Sequence, residues 1–397
     1  MMVSPYFPIE EYESRWGRVH AEMKRRGFDA AVVWGRSAGG FERCADLLYL
    51  VNYYSTNSGQ QPDSIKHHGI GFNAVILQEG HKPELIADEP PREDLVATDR
   101  HRWSLNPIQG VVDALRERNI GGRVAMAGSD FMPIKYWPEI QKGTPNIDWR
   151  FEDELVQPAR LIKSQRELDC FREGGEICSR ALELLIGGIK SGKSEAEAAA
   201  EAGAEVIRHG GSFHMMPVSH GETIDFFCRN PLNGYSTDAP EKGDVVRGWV
   251  YGPIHQGYWL DPGRTTVCGG RPSDSQRELI EACANLVETV GAAIKPGAKV
   301  KDVAAVGDRL REEFGGKEDQ AHQKWPLYGH GNGLFWEHPW LASDLGDAEF
   351  VYGKDMVVSS EAFLSRDGVG AAGFEQNYIV TETGTELLDK TPMLWWD

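Results

Sequence analysis

The sequence predicts an α+β protein of two domains, an α/β domain over residues 1–155 and a second domain over 156–397 in which a helix followed by β-rich runs occurs twice. Three observations carry this. The 397 residues exceed the roughly 250–300 at which a single core stops growing. The first part alternates apolar β runs with amphipathic helices, the pattern of a small mixed sheet with helices on it. In the second part, IKSGKSEAEAAAEAGAEVIRHGG from Ile189 and IKPGAKVKDVAAVGDRLREEFGG from Ile294 align without gaps, an offset of 105. Each copy is a Lys-x-Gly turn, an Ala-rich helix and a Gly-Gly stop, which implies internal pseudo-twofold symmetry. Two ordinary helices with similar turns are the plainer alternative.

Taken in order, residues 8–26 read as a helix, because Tyr12, Trp16, Val19 and Met23 fall on one face and Gly27 stops it. Apolar β runs follow at Ala30–Trp34, Ala74–Leu77, Glu84–Ala87 and Val124–Ala127. A second amphipathic helix carries Ile108, Val111, Val112 and Leu115. Residues 35–71 read as a long irregular region with Tyr53, Tyr54, His67 and His68, the kind of loop that often serves function or an interface. The two histidines read as solvated loop residues.

From Arg160 the chain turns helical, with Leu168, Phe171, Cys178, Leu182 and Leu185 on one face. Ser194 and Glu197 make a capping-box pattern at the next helix start. Residues 243–267, GDVVRGWVYGPIHQGYWLDPGRTTV, read as a β-hairpin. Its runs are Val245–Tyr251 and Gln256–Thr265, and its turn is Gly252-Pro253.

Composition excludes several classes. The 42 basic and 60 acidic residues give a net charge of -18, which repels nucleic acid and anionic membranes. There is no apolar run of about 18 residues to span a membrane and no signal-peptide pattern at the start. The six cysteines form no CxxC pair, which points to reduced thiols in a cytoplasmic protein.

Chemistry concentrates in four residues. Asp261 sits among aromatics in the second hairpin run, and a buried acid there needs a cation or a donor. His330 lies in the glycine-rich YGHGNGLF. Glu361 ends an apolar strand in MVVSSEAFL, and Glu375 enters one in GAAGFEQNYIV. Hard oxygen donors with one imidazole suit Mn, Fe, Co or Zn. Any one of these acids taken alone reads equally as a satisfied structural residue or a solvated strand end.

RLIKSQREL, GDVV…GYWLDPGRT, GHGNGL, SSEAF and FEQNYIVTETG together resemble the pita-bread family of methionine aminopeptidase, aminopeptidase P, prolidase and creatinase, over about residues 155–390. The first part resembles the creatinase-type N-terminal domain. The resemblance implies a curved, pseudo-twofold antiparallel sheet with helices outside. It also implies a homodimer in which the partner's N-terminal domain lies near the active site, with the 35–71 region in that role.

In the family, two Asp, one His and two Glu hold two metals. Asp261, His330, Glu361 and Glu375 match four of the five, and Trp249 stands where the first Asp is expected. The resemblance therefore implies a single-metal site with an aromatic wall. Creatinase also lacks the first Asp and works without metal, so a metal-free carboxylate/His site is the alternative, although creatinase-like enzymes also alter the second Asp, which Asp261 preserves.

Within the family, the upstream His that serves creatinase as its base would fall near Arg229 in CRNPL, with His220 in VSHGET as a substitute. The family's second active-site His is displaced: FWEHPW places Glu337 there and His338 beside it. That segment partly resembles the pita-bread dimethylsulfoniopropionate lyases, which keep all five ligands and have a catalytic Asp where this chain has Trp336.

The implied activity is hydrolysis of a small non-peptide C–N bond, with Glu361 as proton shuttle and His330, His220, His338 and Glu337 as further catalytic candidates. Trp249, Trp259, Trp336, Arg229 and Glu375 are the candidates for holding the substrate. A lyase acting on a small carboxylate, an Xaa-Pro metallopeptidase and a non-catalytic binding protein are the alternatives.

Overall fold

A computed structural model describes residues 7–36, 44–55, 57, 63–224, 234–315 and 325–396. The chain divides into two compact units, residues 1–160 and 161–397. No described helix is long and apolar enough to cross a membrane.

The first unit opens with α1 (Ile9–Arg26), whose buried face is Tyr12, Arg15, Trp16, Val19 and Met23. Gly27 adopts φ 74°, and its N–H closes the helix onto Lys24 and Met23 carbonyls. The sheet is formed by β1 (Ala30–Arg36), β2 (Phe72–Gln78), β3 (Glu84–Ala87), β4 (His101–Trp103), β5 (Gly122–Ala127) and β6 (Ile147–Phe151). Its order is β4-β3-β2-β1-β5-β6, with β1 antiparallel to β2 and parallel to β5. The helices α2 (Ala45–Val51), α3 (Pro107–Glu117), α4 (Trp137–Gly143) and α5 (Gln157–Leu161) complete this part of the chain. The core is built from Val32, Trp34 and Ile76 of the sheet with Ile108, Val111 and Leu115 of α3.

The expectation of an irregular region over residues 35–71 is corrected at α2. Ala45, Leu47, Tyr49, Leu50 and Val51 are buried and Asp46 is the single polar residue, so this short helix has too little of a polar face for periodicity to detect.

The second unit begins with α6 (Gln165–Lys190) and α7 (Glu195–Arg208), each opened by a complete capping box, Ser164 with Glu167 and Ser194 with Glu197. The strands β7 (Val218–His220), β8 (Val245–Trp249), β9 (Gly252–His255), β10 (Tyr258–Leu260) and β11 (Gly263–Val267) follow. The pattern then returns with α8 (Asp274–Ala293), α9 (Val300–Phe314), β12 (His330–Asn332), β13 (Trp336–Trp340), β14 (Val357–Arg366), β15 (Gly370–Val380) and β16 (Thr385–Leu387). The main sheet runs β13-β12-β14-β15-β11-β8-β7. Read outward from the β15/β11 pair, β14 and β12 on one side mirror β8 and β7 on the other. This is the pseudo-twofold pita-bread architecture, an α+β fold.

The hairpin expected over 243–267 is more elaborate than its sequence suggests. β8 pairs with β11. Between them β9 and β10 form their own hairpin, and His255 pairs with Tyr258 across Gln256 (φ 53°) and Gly257 (φ 85°). Two consecutive positive φ values make the turn whose twist suits a two-residue hairpin. The turn is therefore at Gln256-Gly257, and Asp261 lies in the junction after β10 rather than within a strand.

Helices cover one face of the main sheet. A Cβ on Gly248 would meet Leu185 of α6, and Ser360 donates to the Val287 carbonyl of α8. Alternation along each strand then turns Trp249, Glu361 and Glu375 to the opposite face.

Candidate functional site

Strand register builds the site. Glu361 on β14 lies opposite Glu375 on β15, Glu375 opposite Gly263 on β11, and Gly263 opposite Trp249 on β8. Directly opposed residues share a face, so these positions form one row across four strands. Gly263 has no side chain, and the Trp249 ring crosses it to donate its indole N–H to Glu375 Oε2 at 3.1 Å. Phe363 stacks on that ring at 5.4 Å.

His330 enters from β12. Its Nδ1 lies 3.1 Å from the Gly331 carbonyl, which directs Nε2 into the acids. Nε2 is 3.4 Å from Asp261 Oδ2, 3.6 Å from Glu361 Oε1 and 3.6 Å from Glu375 Oε1. All four side chains are buried.

Asp261 is fixed by three side-chain donors. Its Oδ1 accepts from the amides of Asn332 (3.2 Å) and Asn377 (3.0 Å), and its Oδ2 accepts from the Trp336 indole at 2.7 Å. Its backbone N–H donates to Asn377 Oδ1.

Three carboxylates around one imidazole hold more negative charge than a buried site tolerates without a cation or bound protons. Burial pushes the Glu361 carboxyl up to about 7, against the opposing pull of His330. Burial, then the Asp261 and Glu361 charges, push Glu375 well above the ordinary carboxylate range. Glu361 Oε1 and Glu375 Oε1 are buried with no hydrogen-bond partner. Such orphaned oxygens beside an imidazole nitrogen fit a cation, and Asp261, His330 and Glu375 place ligand atoms within 4.8 Å of one another.

The other sequence candidates fall elsewhere. His220 pairs in register with Val246, whose side of the sheet is that of Gly248, the helix face. There its Nδ1 meets Glu195 of α7 at 2.8 Å, away from the acids. Glu337 lies opposite Gly331, which is itself opposite Val358 of the helix-covered face. Its carboxylate forms a buried ion pair with Lys163. His338 Nδ1 meets Asp347 Oδ2 at 2.6 Å. Arg229 lies outside the described residues.

Trp336 reaches the site through its indole nitrogen, and its ring is 5.1 Å from that of His330. Trp259 does not reach it. Its ring packs on Tyr251 (5.5 Å), Phe335 (5.1 Å) and Trp336 (6.3 Å), separations of directly touching rings rather than of an open cage.

Sequence reasoning missed Asn332, Asn377 and Phe363. All three carried a signal: Asn332 stands two residues after His330, Asn377 two after Glu375 and Phe363 two after Glu361, so strand alternation puts each on the face of its neighbour in the site.

The structure matches that of an Xaa-Pro dipeptidase from Bacillus anthracis with TM-score 0.78 and 21% identity, covering 97% of this chain and 99% of that one. It matches an Escherichia coli aminopeptidase P variant with TM-score 0.70 and 18% identity, covering 97% and 95%. At this identity the two establish the fold. In sequence, an Xaa-Pro dipeptidase of Pyrococcus horikoshii is 27% identical over 66% of this chain and 71% of its own length. A creatinase of Bacillus sp. is 24% identical over 98% of this chain and 93% of its own. The model of metallopeptidase family M24 matches residues 169–382, more than half of the chain and the span that holds all four clustered residues. The chain therefore belongs to metallopeptidase family M24, a family of hydrolases.

Proposed function

We propose that this hydrolase cleaves a small non-peptide C–N bond of amide, amidine or guanidine type, with one divalent cation (Mn, Fe, Co or Zn) held by Asp261, His330, Glu361 and Glu375. The observation that carries the reading is the single nitrogen, His330 Nε2, with three buried carboxylates 3.4–3.6 Å away. A divalent cation there would act as a Lewis acid and raise the acidity of the attacking water.

The residues of the chain supply the rest. Gly331 orients His330, and Asn332 and Asn377 hold the Asp261 carboxylate in place. The Glu361 carboxylate would take the proton of the water whose oxygen bonds to carbon, and return it to the nitrogen that departs. The buried, stacked rings of Trp249 and Phe363 line one side of the site. The non-peptide substrate is favoured by the likeness to creatinase along nearly the whole chain. The names of the archaeal and Bacillus relatives favour a second reading, an Xaa-Pro dipeptidase.

The test is turnover by the Mn-loaded protein of a panel of small amides, amidines and guanidines beside Xaa-Pro dipeptides, run in 18O-labelled water. Hydrolysis of a non-peptide member with label uptake is expected. Cleavage confined to the dipeptides would transfer the conclusion to the second reading, and an unlabelled alkene product would point to a lyase.

A further inference from the structure

We infer that the indoles of Trp249 and Trp336 restrict the acid–imidazole site to a single cation, because they place N–H donors and an aromatic wall where a second ion would be held. The inference rests on the cation reading above.

Lone pairs decide how many ions the acids can hold. A carboxylate offers about four acceptor positions, two on each oxygen. On Asp261, Oδ1 is taken by the amides of Asn332 and Asn377, and Oδ2 takes the Trp336 indole at 2.7 Å. What remains of Asp261 is the side of Oδ2 that faces His330 Nε2 at 3.4 Å. On Glu375, Oε2 receives the Trp249 indole, while Oε1 has no partner and faces the same nitrogen. Glu361 Oε1 is likewise without a partner and faces it too. The open positions gather beside one nitrogen, and four protein donors are a sufficient set for one ion.

A second ion shared by Asp261 and Glu375 would need the oxygens already engaged. It would meet the positive ends of two indole N–H dipoles. Space is closed as well. The Trp249 ring lies so close over Gly263 that a Cβ there would fall 2.1 Å from ring atoms, and Phe363 stacks on it. The Arg247 guanidinium stands 5.8 Å from the Trp249 ring and 5.6 Å from Phe363, so a fixed positive charge already borders this side. Coulomb repulsion adds to the loss of ligands there.

The experiment counts ions rather than turnover. The full chain is stripped, loaded with Mn2+ and desalted. Its metal content is measured by mass spectrometry and its EPR spectrum recorded, for wild type and for Trp249→Asp, which offers a carboxylate in place of the indole. One ion per chain with the spectrum of an isolated Mn2+ is expected for wild type. Two ions with an exchange-coupled spectrum are expected for Trp249→Asp. Two ions in the wild type, or one in a folded Trp249→Asp, overturn the inference and the ion count it shares with the proposed function, while the hydrolysis itself is decided separately by the substrate panel. No ion in either protein overturns both. The wild-type count decides by itself if the variant does not fold.

Discussion

The Trp249 indole nitrogen lies 3.1 Å from Glu375 Oε2, and the ring reaches that acid by passing over Gly263 on the strand between them. A side chain on the middle strand would block that path. Gly263→Ala places a methyl carbon 2.1 Å from the indole, so the ring must leave the row or the sheet must open. The expected cost is about 1–3 kcal/mol, the usual penalty of overpacking a core, with a changed near-UV circular dichroism spectrum. An unchanged melting temperature and spectrum would show that the ring does not occupy this path.

Glu361→Gln keeps the shape and one oxygen donor but removes the group that carries the proton. Activity is expected to fall about 10²- to 10⁴-fold, the usual worth of a general acid–base, with the fold intact. Turnover equal to wild type on the substrate found in the panel would remove Glu361 from the chemistry.

Divalent metal should stabilise the protein through the same four side chains. At 100 times its Kd an ion adds about 2.7 kcal/mol, so chelation should lower the melting temperature and Mn2+ should restore it. His330→Ala should abolish the metal-dependent shift. A shift of wild-type size in that variant would place the ion elsewhere.

Lys163 and Glu337 form an ion pair with side chains 2% and 1% exposed. Removing one partner strands the other charge, so Lys163→Met should cost about 3–5 kcal/mol. The double variant Lys163→Met/Glu337→Leu should recover much of that loss, read as a coupling energy in urea denaturation. Strictly additive single effects would show that the two charges do not support each other.

Asp389 is buried beside Arg264 and stands 3.4 Å from it. Burial outweighs that guanidinium and pushes the carboxyl from its ordinary 3.8 up to about 7. A carboxyl raised on folding stabilises below its unfolded pKa, and that stability is lost as pH rises through the folded value. The metal-free protein should therefore lose stability between pH 4 and 7, with this group contributing on the order of 4 kcal/mol. Arg264 keeps its bonds to the carbonyls of Pro392, Gly263, Glu375 and Thr391, so Asp389→Asn should fold. Its decline over that pH range should be shallower. Parallel wild-type and variant profiles would sink this assignment.

What the sequence determined by itself was local or repeated. Gly27 ending α1, the capping box of Ser194 and Glu197, and the copies at Ile189 and Ile294 follow from backbone preferences and periodicity within a few turns of chain. The four clustered residues were legible as motif positions in glycine-rich or apolar strand contexts. Helix α2 was not legible, because two turns that are mostly buried and carry a single polar residue make no polar stripe. Tertiary structure alone decided which face each candidate turns to. His220 and Glu337 sit in strands of the same sheet as the acids, yet their register turns them to the other face, where they meet Glu195 and Lys163. Asp261, His330 and Glu375 span more than a hundred residues of chain, and only pairing between distant strands brings them to one point. A shift of one residue in the β14/β15 pairing would send a carboxylate to the other side of the sheet.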